Sequence, residues 1–159
     1  MVTLDPDVAM NLKEDKNGIL NSKQIISHLI KDEIEAGISS SRIVIGGFSQ
    51  GAAMALYTAL SNEHDLGGVI ALSGFLPLRN SFPKAATCIN QDIPTLLVYG
   101  EADNVVPYLS IALPTYKIMK TFMSNLEFKV YKNLTHTIIP DEIEYVKQFL
   151  MRVLSFKYE

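Results

Sequence analysis

The sequence lacks the features that mark secreted and membrane proteins. Cys88 is the only cysteine among 159 residues, so no internal disulfide can form and a reducing compartment is expected. A secretory signal begins with a basic stretch followed by an apolar one. Residues Met1–Asp7 contain no such pattern. No apolar run approaches the roughly 18 residues of a membrane-spanning helix. These absences predict a cytoplasmic protein without a stable membrane anchor.

An excess of positive charge is lacking as well. Fourteen lysine and arginine residues face seventeen aspartate and glutamate residues, which gives a net charge of −3, and no basic block occurs. Proteins that bind nucleic acids or anionic membranes usually present a basic patch, so neither partner is expected. No repeat, low-complexity tract or linker divides the chain. We therefore predict that residues 1–159 form a single domain.

Strands alternate with helices along the predicted structure. An irregular segment covers 1–16. Helices are then predicted at about 17–35, 50–60, 110–123 and from Pro140 onward, and strands at Arg42–Gly46, Gly68–Ser73, Thr95–Gly100 and Leu126–Tyr131. The predicted core stripe comprises Ile19, Ile25, Ile26, Leu29, Ile30 and Ile34 in the first helix, and Ile143, Val146, Phe149, Leu150, Val153 and Leu154 in the last. This alternation predicts an α/β fold, a parallel sheet flanked by helices.

The first predicted strand leads directly into a G-x-S-x-G pattern, Gly47–Gly51. Between a strand and a helix, this pattern is typical of a tight turn that exposes a nucleophilic serine, here Ser49. Glycines are expected at both ends of the pattern because those positions crowd the neighbouring backbone. The turn also aims the backbone N–H of Gln50 at a developing oxyanion. The alternative is that Ser49 is only the N-cap of the next helix.

Two further loops at the carboxyl ends of the strands carry groups that suit a reactive serine. Asp103 follows the third strand, with Glu101 as a rival acid, and His136 follows the fourth. A serine hydroxyl needs a base, imidazole serves at neutral pH, and a carboxylate fixes its tautomer. The chain order Ser, Asp, His is that of α/β-hydrolases. We assign no chemistry to His28 or His64.

The loop after the second strand, Phe75–Leu78, is apolar and lies at the same edge of the predicted sheet as Ser49. It is either ordinary core or one wall of an acyl-chain pocket, with Phe75 and Leu76 as the substrate-binding candidates. The small residues of Gly51–Leu56 favour close packing of a helix on the sheet rather than a cofactor site. We therefore expect no cofactor and no metal.

Four segments carry a resemblance to a known family: Gly46–Ala53, Ala71–Leu78, Gly100–Pro107, and His136 with the helix that follows it. They resemble the acyl-protein thioesterases, which are the cytosolic lysophospholipase/carboxylesterase family. The resemblance runs from about Asp15 onward and implies a three-layer α/β-hydrolase fold.

The resemblance also implies a reaction and its residues. The family removes fatty acyl groups, chiefly palmitoyl thioesters on protein cysteines, so the implied substrates are S-acylated proteins or small acyl esters. By motif position Ser49 is the nucleophile, His136 the base and Asp103, rather than Glu101, the orienting acid. Two alternatives stay open: a general carboxylesterase or lysophospholipase, and a non-catalytic relative that binds acyl chains or a protein partner.

The sequence departs from the family in several places. Family members carry additional N-terminal strands and a His-Gly-x-Gly-Asp loop that donates a second oxyanion N–H, whereas this sequence contains no His-Gly pair. The expected domain is therefore partial, with an open edge at Arg42–Gly46 through which copies self-associate. Tyr99 stands where the family usually has histidine. Asn133 stands where glycine is common, and asparagine tolerates a left-handed backbone.

Overall fold

The structure is a computed structural model that describes residues 14–155, and its helices and strands alternate. In chain order the elements are α1 (Lys16–Glu35), β1 (Val44–Phe48), α2 (Gln50–Leu60), β2 (Gly68–Leu72), β3 (Thr95–Gly100), α3 (Leu113–Met119), β4 (Leu126–Tyr131) and α4 (Pro140–Ser155). Within the described segment, no helix is both long and apolar enough to cross a membrane. Most of the predicted irregular segment, 1–13, lies outside the described residues.

The four strands form one parallel sheet in the order β1-β2-β3-β4. All residues of β2 and β3 are buried because helices cover both faces of the two central strands. The outer strands β1 and β4 are less buried. The predicted α/β fold with a parallel sheet between helices is confirmed, and the carboxyl ends of all four strands meet at one edge.

Side chains of alternate strand residues form a core on each face of the sheet. One core joins Leu97 and Tyr99 of β3 to α1, α2 and α3. The other joins Leu96 and Val98 to Phe149 of α4. Because successive strand residues point to opposite faces, each strand contributes to both cores. The result is three layers, in which the sheet lies between three helices and one.

The predicted helix over 110–123 is wrong in its bounds. A single π-turn covers Tyr108–Ala112, and α3 runs only from Leu113 to Met119. Pro114 lies in the first turn of α3, directly after the π-turn. The first strand is also displaced, since it covers Val44–Phe48 rather than Arg42–Gly46.

Three residues of the predicted core stripes are exposed instead. Ile25 and Leu29 of α1 are 65% and 59% exposed, and Ile143 of α4 is 41% exposed. Each residue turns a helix by about 100°, so Ile25 and Leu29 point away from the core that their neighbours Ile26 and Ile30 contact. On α4 the neighbour of Ile143, Glu142, is buried in its place.

Both outer strands, β1 and β4, have one open edge within the described chain, and the edge at β1 is the one that the sequence predicts. Over residues 14–155, β1 pairs only with β2, and Gly46 in the middle of β1 is exposed. The side chains of Ile45 and Val44 still pack against the two cores. An outer strand of this kind leaves one row of backbone N–H and C=O groups without a strand partner.

Candidate active site

Ser49 lies on the sharp turn between β1 and α2. Its backbone angles, φ 55° and ψ −120°, place a non-glycine residue in a strained region that costs about 1–3 kcal/mol. The Ser49 N–H donates to the Leu72 carbonyl at 2.8 Å, and its carbonyl accepts from the Ala53 N–H at 3.1 Å. Ser49 therefore occupies the N-cap position of α2, but its side chain makes no capping hydrogen bond to the helix.

The two glycines of the G-x-S-x-G pattern differ in their surroundings. A Cβ atom added to Gly47 would lie 2.4 Å from the carbonyl carbon of Gly51, so the turn closes only with glycine at position 47. A Cβ atom at Gly51 would meet nothing within 4 Å. The expectation that both positions are crowded is therefore wrong for Gly51. The Gly51 backbone is what crowds position 47, whereas a side chain at position 51 would point into open space.

Hydrogen bonds connect Ser49, His136 and Asp103 in one line. His136 Nε2 lies 2.9 Å from Ser49 Oγ, and His136 Nδ1 lies 2.7 Å from Asp103 Oδ2. An ionised carboxylate can only accept, so Nδ1–H donates to Asp103 and Nε2 accepts the Ser49 proton. The structure thus brings together three residues from the loops after β1, β3 and β4. This arrangement can deprotonate the serine as it attacks an electrophile.

Both carboxylate oxygens of Asp103 accept hydrogen bonds. Its side chain is fully buried, and Oδ1 accepts the backbone N–H groups of Val105 and Val106, both at 2.8 Å. Hydrogen bonds from N–H groups compensate for the lost hydration of the charge. Glu101, the rival acid, is exposed, and its backbone N–H donates to the Tyr131 carbonyl. The geometry therefore joins Asp103, not Glu101, to the imidazole.

The loop that carries His136 packs closely on the end of β3. The Leu134 carbonyl accepts the Ala102 N–H at 3.1 Å, and a Cβ at Gly100 would lie only 2.1 Å from the Leu134 oxygen. The ring of Phe48 lies 4.6 Å from the imidazole, centroid to centroid. The His136 side chain remains 16% exposed, so it is restrained yet reachable from solvent.

Asn133 and Tyr99, which depart from the family pattern, have different structural surroundings. Asn133 adopts φ 57°, so it supplies the left-handed turn for which glycine is commonly used. Tyr99 packs in the core below the site, and its hydroxyl is buried with no hydrogen-bond partner in the described region. Burial raises the pKa of Tyr99 well above its ordinary value, so the phenol stays neutral.

A cavity of about 610 Å³ opens beside the nucleophile turn, between α1 and the start of α2. Its apolar lining includes Met54 and Phe75, and Gln50 and Gly51 border it next to Ser49. Leu76 is 2% exposed and belongs to the core, so of the two substrate-binding candidates only Phe75 lines this cavity. The volume falls in the range of small-molecule sites.

Gln50, the predicted oxyanion donor, follows Ser49 directly in the chain. Gln50 is the first residue of α2, and the first N–H groups of a helix have no partner inside it. The remaining histidines lie elsewhere: His28 is exposed on α1 beside Asp32, and His64 lies in the loop after α2. Over residues 14–155, no three histidine, cysteine or acidic side chains are grouped as metal ligands.

The fold has three layers, and the serine on its strand–helix turn is hydrogen-bonded to a histidine that is itself hydrogen-bonded to an aspartate. With the chain order Ser, Asp, His, these features define the α/β-hydrolase class. The profile of the Phospholipase/Carboxylesterase family matches residues 2–154, and the chain belongs to this family.

Individual relatives and solved structures agree with this placement. Acyl-protein thioesterase 1 of Saccharomyces cerevisiae is 39% identical over 144 residues, which cover 90% of this chain and 63% of the yeast protein. Acyl-protein thioesterase 1 of Neurospora crassa is 38% identical, with 89% and 58% covered. The chain thus spans less than two thirds of these curated relatives.

Among solved structures, Arabidopsis thaliana SOBER1 superimposes with a TM-score of 0.83 at 28% identity, over 88% of this chain and 66% of that one. Acyl-protein thioesterase 2 of Zea mays gives a TM-score of 0.80 at 27% identity, over 96% and 70%.

Proposed function

We propose that this chain forms a serine hydrolase site that cleaves fatty acyl thioesters and esters, with Ser49 as nucleophile, His136 as base and Asp103 as orienting acid. The observation that carries the proposal is the pair of hydrogen bonds, 2.9 Å and 2.7 Å, that the imidazole makes to Ser49 and Asp103. The thioesterase names of its relatives support the same chemistry.

The first half of the reaction forms an acyl-enzyme. As Ser49 Oγ attacks the acyl carbonyl carbon, its proton passes to His136 Nε2, and Asp103 stabilises the imidazolium. Charge develops on the carbonyl oxygen, towards which the Gln50 N–H donates from the start of α2. His136 then returns the proton to the leaving sulfur or oxygen as the bond to the acyl carbon breaks. A free thiol or alcohol departs.

The second half repeats the same steps with water. His136 takes a proton from a water molecule that attacks the acyl-serine, and the oxyanion again faces the Gln50 N–H. Collapse of this intermediate transfers the proton to Ser49 Oγ and releases the fatty acid. The exposed fraction of His136 is consistent with entry of that water.

The acyl group is proposed to occupy the cavity beside Ser49. Met54, Phe75 and Pro77 give it an apolar wall, and its volume of about 610 Å³ fits a small-molecule ligand. By analogy with the named thioesterases, the substrates proposed are palmitoyl thioesters on protein cysteines. Simple carboxylic esters and lysophospholipids present the same acyl carbonyl, and comparing the three substrate classes at equal acyl length distinguishes these activities.

One observation favours a second candidate, a relative that binds acyl chains without turnover. Position and motif assign a single oxyanion donor, Gln50, and the sequence contains no His-Gly pair of the kind that supplies the other. Loss of one such donor typically lowers kcat by about 10²–10³. Binding of a fatty acid to the Ser49→Ala variant with no acyl-enzyme detectable in the parent chain would favour this candidate.

A fluorophosphonate probe tests the hydrolase proposal directly. We expect covalent labelling at Ser49, located by peptide mass spectrometry, and no labelling of Ser49→Ala. Ser73 also follows a strand of the sheet with a positive φ of 48°, but it is buried and lies outside the hydrogen-bonded line, so Ser73→Ala should leave the labelling unchanged. Equal labelling of the parent and Ser49→Ala, with loss only in Ser73→Ala, would overturn the assignment.

A further inference from the structure

Phe48 contacts the imidazole of His136 directly, although the two residues belong to opposite sides of the sheet. Phe48 is the last residue of β1, and its ring centroid lies 4.6 Å from that of the imidazole. The two ring planes are tilted by 38°, which is nearer to stacking than to an edge-to-face contact. The Phe48 side chain is half-buried and packs against the core on the α4 face of the sheet. None of the steps of the proposed reaction uses this contact.

The backbone around Ser49 sets the direction of the Phe48 ring. A Cβ atom at Gly47 would point at the backbone of α2, so the next strand residue, Phe48, points to the opposite face of the sheet. Phe48 pairs in register with Leu72 of β2, and the Ser49 N–H donates to the Leu72 carbonyl at 2.8 Å. The ring and the nucleophile are therefore carried by one stretch of backbone that is anchored to β2.

The imidazole has to reach across the sheet to meet this stretch. His136 follows β4 and Ser49 follows β1, and two strands lie between them. With about 4.8 Å between neighbouring strands, the outer strands are about 14 Å apart. The loop of His136 is bonded on the β3 side, where the Leu134 carbonyl accepts the Ala102 N–H. At the far end the imidazole meets Ser49 and the ring of Phe48, both from the end of β1.

An aromatic ring beside the imidazole acts in two ways. It fills the space on one side of the imidazole and so limits tilting away from the line between Ser49 and Asp103. Its π-electron face also attracts a cation. In the proposed reaction the imidazole becomes a cation only as it takes the serine proton, so this attraction favours the transition state over the resting state.

We propose that Phe48 is a positioning residue, which keeps the His136 imidazole in line between Ser49 and Asp103 and stabilises the imidazolium that forms during attack. The effect on the reaction rate rests on the proposed hydrolase function, whereas the placement of the imidazole does not.

Four variants test this role. Phe48→Leu and Phe48→Met keep an apolar side chain but remove the ring, and Phe48→Tyr keeps the ring. Phe128→Leu is the matched control, because Phe128 is also a partly buried strand residue with a ring contact, to Tyr116 at 4.3 Å. That contact belongs to the core on the other face of the sheet.

Two readouts are used, with folding monitored by the dispersion of the backbone NMR signals. The first is the rate of fluorophosphonate labelling at Ser49. The second is the NMR signal of the His136 Nδ1 proton, which is sharp only while the hydrogen bond to Asp103 protects that proton from exchange with water. A loss of packing elsewhere in the fold would not move this signal.

We expect Phe48→Leu and Phe48→Met to slow labelling by about 3- to 30-fold and to broaden the Nδ1 proton signal, because the imidazole loses both a neighbour and a π face. Phe48→Tyr retains an aromatic face and should stay within about twofold of the parent rate, with a sharp Nδ1 signal. Phe128→Leu should leave both readouts unchanged.

A sharp, parent-like Nδ1 signal in folded Phe48→Leu or Phe48→Met would overturn the proposal. An equal broadening in Phe128→Leu, or in Phe48→Tyr, would overturn it as well, because the effect would then not depend on the ring at position 48. A parent chain that reacts with no probe contradicts the hydrolase function, while the Nδ1 signal still decides whether Phe48 positions the imidazole.

Discussion

His136 Nδ1 lies 2.7 Å from Asp103 Oδ2 although 33 residues separate the two in sequence. The two residues follow β4 and β3, which are neighbours in the parallel sheet and pair from Thr95 with Leu126 to Gly100 with Tyr131. Because the carboxyl ends of neighbouring parallel strands lie side by side, the loops after them meet. The contact between acid and base is thus a consequence of strand order.

This contact predicts different effects for the two acids of the β3 loop. Asp103→Asn should lower kcat by about 10⁴ because an amide no longer holds the imidazole in the reactive tautomer. Glu101→Gln should change kcat less than about twofold, since Glu101 is exposed. Steady-state hydrolysis of a short acyl ester provides the measurement. A large loss in Glu101→Gln with a normal Asp103→Asn enzyme would show that the acid is Glu101.

The glycines of the nucleophile turn should respond in opposite directions to alanine. Gly47→Ala places a Cβ against the Gly51 backbone and should destabilise the fold by about 1–3 kcal/mol or more. Gly51→Ala adds a methyl group to open space in the first turn of α2 and should stabilise it by about 0.5–1 kcal/mol. Urea denaturation measures both. Equal destabilisation by the two changes would contradict the described turn.

The sequence predicted that Ser49, Asp103 and His136 each follow a strand at one edge of the sheet, and the structure brings the three side chains together, while their catalytic roles stay a prediction. It was a poor guide to Ile25, Leu29 and Ile143, which were predicted in the core and are exposed. Apolar spacing shows that a helix has a buried face but not how wide that face is. Only the packing of α1 and α4 on the sheet decides which of these side chains is covered.

Burial raises the pKa of Glu142, which predicts a pH dependence of stability. Below its ordinary pKa of 4.5 the carboxyl group is protonated in both the folded and the unfolded chain. As the pH rises from there through the raised folded pKa, the unfolded chain ionises first, so the parent loses stability. The free energy of unfolding of Glu142→Gln, minus that of the parent, should therefore increase over this range.

Urea denaturation at a series of pH values measures this difference. The exposed Glu144 supplies the control, because Glu144→Gln removes only a surface ion pair with Lys147, worth at most about 1 kcal/mol. A Glu142→Gln difference that is constant with pH, or that decreases as the pH rises, would contradict burial of an ionisable carboxyl group at position 142.

The cavity beside Ser49 predicts a change in acyl-chain preference. Met54→Trp places a larger side chain in the apolar wall and should lower kcat/KM for a hexadecanoyl ester by about tenfold or more. The same variant should hydrolyse an acetyl ester at the parent rate, because a short acyl group needs little of the cavity. An equal loss with both esters would indicate damage to the nucleophile turn, and no loss with either would place the acyl group elsewhere.

The open edge of β1 leads to a proposal about association. We propose that copies of the 159-residue chain associate through Val44–Phe48, where β1 pairs only with β2 over residues 14–155. Backbone groups along an unpaired strand edge favour pairing with a second strand. Sedimentation velocity should show a mass that increases with concentration, and the amide hydrogens of β1 should exchange more slowly as association proceeds. Those of β3, buried at the centre of the sheet, should exchange slowly at every concentration. A monomer at all concentrations, or slowed exchange confined to the exposed face of α1 around Ile25 and Leu29, would contradict pairing through β1.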